Sequence, residues 1–325
     1  MPVFVVIWHM GGGGSSLIFS KDRYLDHVFT FSDFVNFHVL LLAVPTFVFM
    51  ANFLYVSRGI STANLRRRLK RVLILLTFWP IAFIIFRSGY HGLLQLFPRS
   101  LGSFAVTVLT AGHTIYYFFV SLIMCLLITH LIAHLNLRFQ IWGFVLAIIL
   151  LASLPILTKM TGFYPLSAYW SPLNFIPFPF AAVLIAQNME YVRSKKILLI
   201  SASLALSVLL SVLEWHYAVG EIFFPGQGYA IPAYTRASLL FSVTVLAMIA
   251  TEPGIKSNGI CTYMATYALA LYCLHPFLMG PITRLVARIT PNGIFLRYGS
   301  IILVILSSYA LAMILRKYLK EKVIT

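Results

Sequence analysis

The chain has 325 residues, 60% of them hydrophobic and only 10% charged, with a mean hydropathy of +0.92. Soluble globular domains carry about 25% charged residues, so this composition excludes one and points to a polytopic membrane protein. The net charge of +16 does not point to nucleic acid, because the 24 Lys and Arg residues sit in short stretches between apolar segments, where membrane orientation needs them.

Met1 to Trp8 (MPVFVVIW) is apolar but well short of the about 20 residues that a spanning helix needs. It lacks the basic start and A-x-A site of a signal peptide, so it is expected to be the outer part of a first helix whose inner part precedes Met1. His9 ends it, and Gly11 to Gly14 follow as a flexible turn or a place where backbone could approach a substrate. A second spanning helix is predicted over about Asp33–Ser57, a basic loop over Arg58–Arg71, and a third helix over Val72–Phe86. Arg87–Ala111 reads as a partly amphipathic outer stretch that could lie in the interface. Further helices are predicted over His113–His134, Ile141–Leu157, Phe175–Tyr191, Ile197–Leu213, Ala233–Ala250, Ile260–Pro281 and Ser300–Lys317. Cys125, Cys261 and Cys273 all fall in apolar segments and offer neither a disulfide framework nor metal spacing.

Orientation follows from the cations. Arg58, Arg66, Arg67, Arg68, Lys70 and Arg71 fall within fourteen residues between two apolar segments, which fixes that side as cytoplasmic. With both termini inside, 15 of the 24 cations fall in inner stretches and 9 in outer ones. No internal repeat and no matched pair of broken helices occurs, which weakens a transporter reading.

Ionisable groups inside a bilayer are costly and mark cavities or partners. His38 is expected about 7 Å inside the outer end of the second helix, and His275 about 9 Å below the outer end of the ninth. With His9 and His113, four histidines from four helices share the outer leaflet, where one could act as a general base. Pro276 should kink the ninth helix and free a carbonyl near His275. His130 and His134 have i, i+4 spacing, but no third metal ligand is in view. Glu214, Trp215, His216 and Glu221 form an acidic outer cluster that could grip sugar hydroxyls or remain an ordinary solvated loop. No Walker A, GxGxxG or GxSxG pattern occurs.

Several stretches resemble acyltransferase family 3. VPTFVFMANFLYVSR (Val44–Arg58) is similar to that family's "VPLFFxxSGFL…R" segment, and LRRRLKRVLILLTFWPI (Leu65–Ile81) to the basic loop and helix after it. TYALALYCLHPFL (Thr266–Leu278) resembles its late "SYxIYLLHPL" motif, and VVIWHM the end of its R-x10-H motif, which puts the family's essential histidine on His9. Ala51-Asn52 stands where the family has Ser-Gly. The motif's Arg would fall before Met1, which implies either an upstream start or an inactive member serving as a scaffold.

The resemblance implies an all-α bundle of about ten helices forming one membrane-embedded domain over residues 1–325. It implies an O-acyltransferase moving an acyl group, usually acetyl, from a cytoplasmic CoA donor to a hydroxyl on a cell-surface or lipid-linked saccharide. No bound cofactor or metal is expected; acetyl-CoA or another acyl-CoA is the co-substrate, and membrane lipids surround the bundle. The expected catalytic residues are His9 and His275, with Tyr272, His38, His113 and Glu214 toward the acceptor. Arg58, Arg66, Arg68 and Arg71 are expected on the donor side, because guanidinium groups hold phosphates. The competing reading is a transporter or flippase of a lipid-linked saccharide.

Overall fold

A computed structural model describes residues 2–11, 31–94, 96, 100–218, 233–251, 259–290 and 292–318. Gly12 to Gly14, Glu221 and the side chain of His216 lie outside what is described. Among the described residues every element is helical and there is no strand. That is what a bilayer demands of an open chain, since each backbone amide must find its partner within its own segment.

The helices are α1 (Pro2–His9), α2 (Phe31–Ser57), α3 (Thr62–Leu94), α4 (Leu101–Leu109), α5 (Tyr117–Ile132), α6 (Leu137–Thr161), α7 (Pro177–Gln187), α8 (Met189–Ser194), α9 (Lys196–Ala218), α10 (Ala237–Ala250), α11 (Gly259–Thr266), α12 (Ala268–Ile289) and α13 (Gly293–Tyr318). Six of them, α2, α3, α6, α9, α12 and α13, are long and apolar enough to cross a membrane. Helices α5, α7 and α10 are shorter and apolar; with α1 they fill, in order, the ten places expected. Only 6% of the apolar window of α9 is buried, and Ile197, Leu198, Val208 and Val212 face outward. Such a helix has its apolar sides in lipid rather than in a protein core.

Helix α2 is the centre of the bundle, packed against α1, α5, α7 and α10. Phe37, Val48, Phe49 and Tyr55 along it are wholly buried. Asn52, in the place of a small residue, is buried too: its amide donates to the Val48 carbonyl at 2.7 Å and accepts from the Thr129 hydroxyl of α5 at 2.7 Å. Asn52 thus forms a polar clasp between two helices. Gln140 of α6 clasps in the same way, donating to Gln187 of α7 at 2.8 Å, while Gln187 donates to the Ala133 carbonyl. Close approach of α6 and α7 depends on Gly143, where a Cβ would stand 2.4 Å from the Phe180 ring. Gly143→Ala is therefore expected to cost about 1–3 kcal/mol by overpacking. Thermal unfolding in detergent should show the loss and its recovery in Gly143→Ala/Phe180→Leu; an unchanged single variant would remove the contact from the account.

Three expectations about boundaries are corrected. The basic stretch is not all loop: Arg66–Arg71 forms the first turns of α3, where Leu65 and Val72 are buried and the Ser61 hydroxyl accepts from the Asn64 amide. Only residues 58–61 remain as loop. Helix α3 runs past Phe86 and turns at Gly89 (φ 62°, ψ −165°), a conformation open only to glycine. The expected ninth helix is split into α11 and α12, and α12 continues through Pro281 to Ile289. The nine-residue α4 buries none of its side chains and is capped reciprocally by Ser100 and Ser103, as suits a helix lying on the bundle's apolar surface.

Candidate active site

Helix α12 carries Pro276 and Pro281, which lack the N–H that would bond the Tyr272 and Phe277 carbonyls. Two tyrosines hold this weakened helix against the start of α5. Tyr116 donates to the Cys273 carbonyl at 2.6 Å, and Tyr272 donates to the Ile115 carbonyl at 2.5 Å. The clamp fixes His275, which is fully buried. Its Nδ1 lies 3.1 Å from the Leu271 carbonyl oxygen. A carbonyl can only accept, so Nδ1 carries the proton and Nε2 presents a lone pair. That Nε2 has no hydrogen-bond partner.

The His9 ring stands against it, with ring centroids 5.4 Å apart. His9 is the last residue of α1, which is anchored by buried Val5 and Val6. Gly11 (φ 66°) closes the helix, and its carbonyl accepts from Arg297 of α13. The exposed side of His9 lines a cleft of about 870 Å³, together with Phe86 and Arg87 of α3, Arg284 of α12, and Arg297 and Ser300 of α13.

A second cleft, of about 620 Å³, is lined by Arg58, Ser61, Asn64, Arg67, Arg68 and Arg71. It lies far from the first: Arg87 follows Arg71 by sixteen helical steps on α3, roughly 24 Å. Three smaller cavities share lining residues with the two clefts and with one another. One of about 270 Å³ shares Arg68 and Arg71 with the basic cleft. The next, of about 20 Å³, shares Phe47 and Leu269 with it and adds Tyr272. The last, of about 10 Å³, shares Val44 and Tyr272 and reaches His9. The two smallest each have room for about one water.

Behind His9 lies a buried network that the sequence reading did not find. Arg236, 1% exposed, donates from Nε to Glu214 at 2.8 Å and from Nη1 to the Phe37 carbonyl at 2.6 Å. Its Nη2 lies 3.0 Å from Nδ1 of His38. Trp215 donates to His38 Nε2 at 2.6 Å, and Ser238 gives Glu214 both its amide and its hydroxyl. The network ties α2, α9 and α10 together. It also forms the wall on which Trp8 rests, because Phe37 packs edge-on against both Trp8 and Trp215. His38 itself sits in a π-helical turn, Val35–Val39, whose wider ring sets the Phe37 carbonyl where Arg236 reaches it. The available sequence signal was a lone Arg at the head of an apolar helix, with a lone Glu near the end of the preceding one.

Of the residues expected toward the acceptor, His38 and Glu214 are thus joined to Arg236, and Tyr272 spends its hydroxyl on a backbone carbonyl. His113 is not brought to the others: it sits exposed in a left-handed turn (φ 58°), its Nε2 3.5 Å from Thr107. On the basic side, Arg58, Arg68 and Arg71 line the cleft, whereas Arg66 faces away and Arg67 takes its place. Arg68 donates to the Ala51 and Leu54 carbonyls near the end of α2 and lies over the Tyr55 ring, so it braces the helix junction as well as lining the cleft. His130 bonds Tyr55 at 2.7 Å, and no cluster of three or more potential metal ligands occurs among the described residues.

Comparison with known proteins gives one match: the profile of a family described as an acyltransferase domain, acyltransferase family 3, fits residues 3–316. No curated protein and no solved structure matches the chain.

Proposed function

On the premise that the chain belongs to acyltransferase family 3, we propose that it moves an acetyl group from acetyl-CoA at the basic cleft to a hydroxyl of a saccharide or lipid-linked glycan in the His9 cleft. The observation that carries this reading is the His9–His275 pair, whose His9 lines the large cleft. In this reading the basic end faces the cytoplasm of a cell membrane, as the positive-inside rule requires. The phosphates of the donor rest on Arg58, Arg67 and Arg71, and the thioester arm extends from there toward His9.

The chemistry balances with an imidazole alone. His9 takes the proton of the acceptor hydroxyl while the oxygen attacks the thioester carbonyl. The tetrahedral intermediate expels the thiolate as the C–S bond breaks, and the proton on His9 passes to sulfur. The products are an ester and free CoA thiol. His275, with its proton held on Nδ1, packs its ring against His9.

Labelled acetyl-CoA supplied to proteoliposomes together with a saccharide-lipid extract tests the reading. Label should move to a hydroxyl of the acceptor; a transporter would leave it all on CoA. Arg58→Gln/Arg67→Gln should raise the KM for acetyl-CoA by about tenfold or more with kcat little changed, since each lost guanidinium removes a charge-assisted contact. An unchanged KM would take the donor away from this cleft.

A further inference from the structure

The His9 cleft is unusually cationic for a place meant to receive a neutral sugar. Three guanidinium groups line it, Arg87 from α3, Arg284 from α12 and Arg297 from α13, and among the described residues no carboxylate lines it. Arg297 is occupied with the Gly11 carbonyl. Arg87 and Arg284 are exposed, and neither has a carboxylate partner among the described residues. Ser300 adds an independent sign: it is 1% exposed, lines the same cleft, and its hydroxyl has no hydrogen-bond partner. In the orientation proposed above these arginines also run against the positive-inside bias, so topology gives no reason for their presence. Guanidinium groups brought to one cleft from separate helices, beside an unsatisfied hydroxyl, suit an oxyanion.

We propose that the acceptor is anionic, and that Arg87 and Arg284 hold its carboxylate or phosphate while a hydroxyl of the same molecule faces His9. This rests on reading the His9 cleft as the acceptor site. The anion could belong to an acidic sugar or to the phosphate of a lipid carrier. Both present the same planar or tetrahedral oxygens to the two arginines. Contacts of this kind select the acceptor rather than perform the transfer, because a guanidinium group holds an oxyanion and does not take the hydroxyl proton.

Binding separates the possibilities without relying on turnover. The full chain in nanodiscs is titrated with hexyl β-glucoside and hexyl β-glucuronide, which differ by one carboxylate, and with farnesol and farnesyl diphosphate, which differ by a diphosphate. The charged member of at least one pair should bind about tenfold or more tightly than the neutral one, and rising salt should erode the difference. Preference within the sugar pair alone identifies an acidic sugar, and within the prenyl pair alone a lipid phosphate. Arg87→Gln/Arg284→Gln should abolish the preference, and Arg87→Lys/Arg284→Lys should keep most of it. Equal binding of charged and neutral probes, or a preference that survives the Gln pair, would overturn the proposal. Transfer of labelled acetyl is followed in the same preparation. An anion preference without any label transfer would leave this site standing and remove the acyl-transfer reading; label transfer without anion preference would do the reverse.

Discussion

His9→Ala is expected to lower acetyl transfer by about 10²–10⁴-fold, the usual contribution of a positioned general base. The reason is geometric. His9 is exposed to the large cleft and stands 5.4 Å, centroid to centroid, from an imidazole whose Nε2 is unpartnered. The other histidines of the same region do not share this position: His38 is bonded to Trp215, and His113 lies by Thr107. Because the truncated side chain leaves a space open to the cleft, added imidazole should restore part of the rate. His275→Gln should also be slow, yet imidazole should not rescue it, since His275 is closed off from solvent. The KM for acetyl-CoA should be unchanged in both variants, because the basic cleft is roughly 24 Å away along α3. Full transfer by His9→Ala would remove His9 from the mechanism.

The order of the helices was legible because membrane crossing imposes a simple pattern, an apolar run of fixed length with cations at its ends. Ends and breaks were less legible. A run of cations such as Arg66–Arg71 reads locally as a stop, yet Leu65 and Val72 bury one face and helix continues through the cations. The turn at Gly89 and the split before α12 depend on packing between helices distant in sequence, which no local pattern records. At the site, the meeting of His9 and His275 followed from matching their depths in two helices. Depth says nothing of rotation about each helix axis. His113 was therefore grouped with them, although a left-handed turn aims it elsewhere.

The same limit hid Arg236. A cation at a helix start reads as an orienting charge, and its pairing with Glu214 is invisible locally, because the pair spans two chain segments 22 residues apart. Burial changes its meaning. An outer cation orients a helix; a cation 1% exposed, with a carboxylate on one nitrogen and a backbone carbonyl on another, holds three helices in one arrangement. His38 and Glu214, expected to meet substrate, serve first to satisfy that charge. The network shapes the site at one remove, through Phe37 and Trp8 to His9.

Arg236→Met should accordingly be the most damaging single change outside the histidine pair. Removing one partner of a buried ion pair leaves the other charge uncompensated, a loss of roughly 3–5 kcal/mol. Here the Phe37 carbonyl loses its donor in the same step, and the π-helical turn of α2 loses the contact that holds it. The expected result is aggregated or poorly inserted protein, read as loss of the monodisperse peak on detergent size exclusion and a lower midpoint of thermal unfolding. Arg236→Met combined with Glu214→Gln removes both charges while the Gln side chain can still accept from Ser238, so part of the stability should return. Recovery in the double variant is the decisive sign, since a mere loss of packing volume at position 236 would not be repaired by neutralising Glu214. Recovered protein should bind acetyl-CoA normally but transfer acetyl slowly, because Trp8 and His9 would rest on a wall no longer fixed by Arg236. A single variant as stable as the native chain would show that the pair is solvated and that the bundle is held without it.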